Sequence, residues 1–124
     1  MNRIILVGHC GPDTSYLVMA ARKAVPTAEV VRADDEAALS SAIAIDDGHV
    51  LLLVNRVLDG DFADSSGIEL IARLRRSHPM VRSMLVSNYA DAQSAAVQAG
   101  AMPGFGKREI GTPRVLDLIR DGLK

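Results

Sequence analysis

The stretch VLLLVNR, residues 50–56, decides how this chain is read. Aliphatic residues run unbroken from Val50 to Val54 and stop at an amide, Asn55. A run that is short and apolar at every position, not at every second one, marks a strand covered on both faces. Such strands belong to parallel sheets with helices packed on both sides. The flanking sequence should then alternate short apolar runs with longer amphipathic ones.

It does so on both sides. Ile4 to Val7 reads as a buried strand. Pro12-Asp13-Thr14 starts a helix whose apolar positions, Leu17, Val18, Ala21, Ala24 and Val25, have helical spacing, and Pro26 ends it. Ala28 to Arg32 reads as the second strand. Asp34-Asp35 puts negative charge at the start of a helix reaching about Ile45, and Asp46-Asp47-Gly48 turns into the apolar run. After it, NRVLDGDFADSS (55–66) is a polar loop. A helix from Ser66-Gly67 to Arg76 follows, then a strand from Val81 to Val86 and an Ala-rich helix from Ala90 to Ala99, closed by Gly100. Met102 to Phe105 is a weak strand suited to a sheet edge, because Pro103 lacks a donor. Thr112-Pro113 opens the last helix. The expected fold is a doubly wound, five-stranded parallel α/β sheet, one domain over residues 1–124.

Composition narrows the function classes. The chain has 124 residues, 48% hydrophobic and 23% charged, with a net charge of −1. No strong field draws nucleic acid or an anionic membrane. Aromatic residues make up 3% and Trp is absent, so base-stacking platforms are not expected. The lone cysteine, Cys10, forms no internal disulfide, which fits a reducing cytoplasm. The apolar run before Gly8 is too short for a signal-peptide core or a membrane span.

In open α/β sheets, chemistry gathers at the carboxyl ends of the strands. Here those ends offer Gly8-His9-Cys10, Arg32 to Asp34, Asn55, Ser87-Asn88 and Lys107. On these residues, and on LVSNYAD (85–91) and QAGAMPGFGK (98–107), nearly the whole chain resembles the receiver domain of two-component response regulators, a flavodoxin-like fold. The resemblance implies a phospho-acceptor Asp at position 55, an acidic pair for Mg²⁺ at positions 8 and 9, a hydroxyl at Ser87 and a lysine at Lys107. This chain has Asn55, Gly8 and His9 at the acidic positions. An amide is a poor nucleophile, and Mg²⁺ prefers hard anionic oxygens. Neither Asp phosphorylation nor Mg²⁺ is therefore expected. The resemblance also implies Tyr or Phe three residues before the lysine, as a switch. Gly104 stands there, with Phe105 one place later, and Arg108 replaces the proline after the lysine.

The reading is a pseudo-receiver that works by protein–protein interaction and is not an enzyme. Its interaction face is expected to include Gly104, Phe105 and Arg108, with signalling proteins or a second copy as partner. The chain ends at Lys124, so output is expected through contacts. Asn55 is expected to cap a loop turn or to bond Lys107 and Ser87. Lys107 either pairs with Asp13 or, with Ser87, takes a small anion. ILVGHCGPDTS (5–15) loosely resembles the phosphocysteine loop of sugar-phosphotransferase IIB components, which offers Cys10 phosphotransfer as the alternative. A second alternative makes Asp59 an acceptor. A Cys-x5-Arg phosphatase loop fails, because Tyr16 stands at the arginine position. Asp59, Asp61 and Asp64 read as a solvated acidic loop without EF-hand spacing, and Arg73, Arg75 and Arg76 as a solvated basic helix end. His9, His49 and His78 are spread too widely for zinc.

Overall fold

The computed structural model describes residues 1–45 and 47–124, so Asp46 of the expected turn lies outside the described residues. Five strands, β1 (Arg3–Val7), β2 (Glu29–Ala33), β3 (Val50–Asn55), β4 (Arg82–Val86) and β5 (Met102–Phe105), form one parallel sheet in the order β2-β1-β3-β4-β5. The connecting helices are α1 (Gly11–Ala24), α2 (Glu36–Ile43), α3 (Gly67–Ser77) and α4 (Ala90–Ala99). A 3₁₀ turn, Lys107–Glu109, precedes the final helix α5 (Pro113–Gly122). The expected doubly wound α/β fold is the one found.

The unbroken apolar run explains the layering. Every residue of β3 is buried, because successive side chains enter opposite cores. Leu51 and Leu53 join the layer under α1 and α5, whereas Leu52 and Val54 join the layer under α2, α3 and α4. In β1, Ile4 and Leu6 separate from Ile5 and Val7 in the same way. Slipping β3 by one residue would exchange both sets at once, so its register is tightly specified.

Element ends differ from the sequence reading by a few residues at most. α2 stops at Ile43, not near Ile45, and Asp35 caps it by accepting from Ala38 N at 2.8 Å. α3 is capped by Ser66, which accepts from Glu69 N at 3.2 Å. Thr112 heads α5 without a side-chain cap bond.

The long loop after β3 is not a free acidic loop. Arg73 of α3 donates to Asp64 at 2.9 Å and to Glu36 of α2 at 3.0 Å. This corrects the reading of Arg73 and Asp64 as solvated: the guanidinium fork holds two carboxylates from separate elements. Glu36 N also donates to Asp61 O at 2.9 Å. Gly60, at φ 131°, fits under the Asp34 carbonyl, where a Cβ would lie 1.9 Å from the oxygen. The loop is thus strapped over the carboxyl ends of β1 and β2.

Candidate functional site

β1, β3, β4 and β5 deliver Gly8, Asn55, Ser87 and Lys107 to one end of the sheet. Asn55 is 8% exposed. Its Nδ2 donates to Gly8 O at 3.1 Å and to Val57 O at 2.7 Å. Both amide hydrogens are therefore spent on backbone carbonyls, and flipping the amide would set three oxygens against one another. Among the described residues Asn55 makes no bond to Lys107 or Ser87, which corrects that expectation. The loop-turn role is the one present, since Val57 lies just beyond Asn55.

Gly8 is a hub, not a ligand. Its carbonyl accepts from Asn55 and also from Asp59 N at 2.9 Å. Its φ of 71° favours glycine, and a Cβ would lie 2.9 Å from Leu58 Cδ2. A carboxylate at position 8 would meet both backbone strain and a clash.

His9 is 4% exposed, and its Nε2 lies 2.7 Å from Leu53 O. A carbonyl only accepts, so Nε2 carries the hydrogen and Nδ1 is a bare lone pair, which has no protein partner among the described residues. Burial is the main cause that lowers the His9 pKa from 6.5. The Leu53 bond opposes it, Lys107 adds to the lowering, and Asp13 and Asp34 pull upward. In the unfolded chain the imidazole protonates at its ordinary pKa, and in the folded protein only at lower pH. The unfolded state thus binds more protons below about pH 6.5, so stability falls as pH drops through that value. Urea unfolding should show a lower midpoint at about pH 5.5 than at about pH 7.5, and His9→Gln should shrink the difference. An unchanged difference in that variant would assign the dependence to other groups.

Lys107 Nζ lies 2.8 Å from Asp13 Oδ2, as the ion-pair reading expected. Lys107 is the main cause holding the Asp13 carboxyl below its ordinary value, and a hydrogen bond to the Cys10 side chain adds to the effect. Ser87 is buried, and its Oγ accepts from Tyr89 N at 3.2 Å. The Arg56 guanidinium stacks on the exposed Tyr89 ring, 4.9 Å from its centroid. That pair was not anticipated from the sequence, where Arg56 and Tyr89 lie on separate loops.

These groups do not suit Mg²⁺. Gly8 has no side chain, His9 is turned into the core, and the Asn55 NH₂ occupies the point where two carbonyl oxygens converge. Among the described residues no group of three His, Cys, Asp or Glu is placed to hold a metal ion.

The expected interaction residues separate in space. Phe105 is 1% exposed and packs in the layer closed by α1 and α5. Gly104 is buried beneath α4, where a Cβ would lie 2.1 Å from Leu85 O and 2.8 Å from Gln93 Oε1. The Gln93 Nε2 donates to Leu85 O, Ser87 O and Phe105 O at 2.9, 3.1 and 3.2 Å. The space above Gly104 is thus filled by an amide bolted to β4 and β5. Only Arg108 of the three is exposed. Cys10 is exposed just before α1.

No protein-family profile and no curated protein sequence matches the chain. Solved structures do. The signal receiver domain of a DNA-binding response regulator from Colwellia psychrerythraea 34H superposes with a TM-score of 0.70 at 15% identity, covering 98% of this chain and 96% of that one. The non-phosphorylated receiver domain of the stress response regulator RcsB from Escherichia coli gives 0.69 at 22% identity, over 100% and 95%. A response regulator from Burkholderia pseudomallei with a phosphorylated aspartic acid gives 0.63 at 20% identity, over 99% of this chain and 66% of that one. The fold is that of response-regulator receiver domains. No helix among the described residues is long and apolar enough to cross a membrane.

Proposed function

We propose that this chain is a regulatory module of the receiver fold that accepts no phosphoryl group on β3 and acts through protein contacts. The observation that carries this reading is the Asn55 amide, whose two hydrogens bind Gly8 O and Val57 O. An amide nitrogen donor sits where the reaction would need an anionic nucleophile beside a cation. The Gly104–Gln93 packing supports the same reading. No aromatic side chain can swing in or out at position 104, so the switch that the resemblance implies has no residue there.

The surface we assign to partners is formed by α4, β5 and α5. Between α4 and β5 lies a groove of about 730 Å³ rimmed by Ser94, Val97, Pro103, Arg108 and Arg114. Signalling proteins or a second copy of the chain would bind there without regard to phosphorylation. Phosphotransfer on Cys10 is disfavoured by its neighbours. Pro12 removes one backbone donor from the loop, and the Asp13 carboxylate beside the thiol would repel an incoming phosphate.

The test is intact-mass measurement after incubation with acetyl phosphate and Mg²⁺. An unchanged mass is expected. Addition of one phosphoryl group would overturn the reading, and its loss in Cys10→Ser or Asp59→Ala would identify the acceptor.

A further inference from the structure

The outer face of α1 forms one wall of an open cavity. Tyr16, Met19, Ala20 and Lys23 recur at helical spacing and so share one side of that helix. Across from them stand Ile110 and Gly111, from the turn before α5, and Leu116 of α5 itself. The space between them is about 450 Å³, a size suited to a small organic molecule. Its floor is apolar and buried, formed by Ala20, Ile110 and Leu116. Its outer edge is apolar too: Tyr16 is 63% and Met19 68% exposed, and among the described residues no other helix exposes two large apolar side chains. The rim is cationic. Lys23, Lys107 and Arg108 border the cavity against one carboxylate, Asp13, which Lys107 already holds at 2.8 Å. Neither Lys23 nor Arg108 makes an ion pair among the described residues. Asn55 and Ser87 take no part in this lining, and Arg108 is the one residue it shares with the groove between α4 and β5.

We propose that this cavity binds a small amphipathic carboxylic acid, its apolar body against Tyr16, Met19, Ala20 and Leu116 and its carboxylate at one of the two unpaired cations, Lys23 or Arg108. The chemistry of the walls selects this class. An apolar body removes water from Tyr16 and Met19, which are otherwise wet, and the flexible Met19 side chain adapts to its shape. A neutral apolar molecule would leave the cations unused, and a cationic one would meet three like charges. An inorganic anion would leave the apolar walls uncovered. A second copy of the same surface would bring three cations against three, which disfavours self-association here. The inference goes beyond the function proposed above and does not depend on Asn55.

The probes are octanoate, 1-octanol and octylammonium, which share one chain and differ in charge. Each is titrated as a monomer against the full chain at neutral pH, and the backbone amide shifts of Tyr16, Met19, Lys23 and Gly111 are followed. Saturable shifts at these residues are expected, with octanoate binding tightest. Octanol is the more apolar molecule, so simple partition would put it first. Met19→Glu removes an apolar wall and adds a like charge, and should weaken octanoate by about tenfold or more. The position is exposed, so the thermal midpoint should hold; Tyr16→Ser gives the same reading if Met19→Glu fails to fold. Of Lys23→Gln and Arg108→Gln, one should weaken octanoate by about two- to fivefold, the range of an exposed ion pair, and so name the cation used. Absence of saturation, octanol or octylammonium binding as tightly as octanoate, or unchanged affinity in Met19→Glu or in both glutamine variants would overturn the site. Shifts centred on Asn55 and Ser87 instead would place the acid at the strand ends and overturn it equally.

Discussion

Asn55→Asp is expected to destabilise the protein by about 3 kcal/mol at neutral pH and to gain no phosphoryl group from acetyl phosphate and Mg²⁺. The substitution removes both bonds from Nδ2 and places carboxylate oxygens against Gly8 O and Val57 O. The position is 8% exposed, so water relieves little of the repulsion. Part of the loss should return as pH falls, because a protonated Asp can donate one hydrogen to one of the carbonyls. Rebuilding the acceptor does not rebuild the reaction. Gly8 tolerates no carboxylate without strain, and His9 faces Leu53. Urea unfolding and intact mass check both halves. A stable, readily phosphorylated Asn55→Asp protein would show that the missing acidic pair matters little.

Phe105→Ala should cost about 3–5 kcal/mol, among the largest effects open to a single truncation in this chain. The ring is 1% exposed in the layer shared with Leu17, Ile110 and Val115. The neighbouring Arg108→Ala, an exposed change, should stay within about 0.5 kcal/mol. The pair distinguishes two meanings of the β5 end. If Phe105 worked as a partner contact, its truncation would leave stability nearly unchanged and weaken association. A loss below about 1 kcal/mol in urea unfolding would contradict its place in the core.

The contrast between these two residues shows what the sequence made legible. The sheet was readable because β3 carries apolar residues at every position, a pattern that only double coverage satisfies. The ends of the strands were readable for the same reason, and with them the meeting of Gly8, Asn55, Ser87 and Lys107. Side-chain direction was not. Gly104 and Phe105, as strand neighbours, face opposite layers, and which of them lies under α4 is set by the irregular pairing of β4 with β5 between Met84 and Val86. The role of Gln93 is hidden in the sequence because its acceptors lie on two distant segments, the end of β4 (Leu85, Ser87) and β5 (Phe105). Arg73 was read as solvated because the carboxylates it binds, Glu36 and Asp64, belong to α2 and the long loop. The Lys107–Asp13 pair joins the turn after β5 to the first turn of α1, two opposite charges at the same end of the sheet.

In the function proposed, Asn55 Nδ2 stands where a phosphorylatable receiver would hold its cation. The most direct test is a Mg²⁺ titration followed through the backbone amides of Gly8, Val57 and Asp59 and the side-chain amide of Asn55. No saturable shift is expected at any of them, and the two Asn55 side-chain hydrogens should exchange slowly throughout. Saturable shifts at Gly8 and Val57, with release of the Asn55 hydrogens, would show that the cation site survives and would contradict the proposed function.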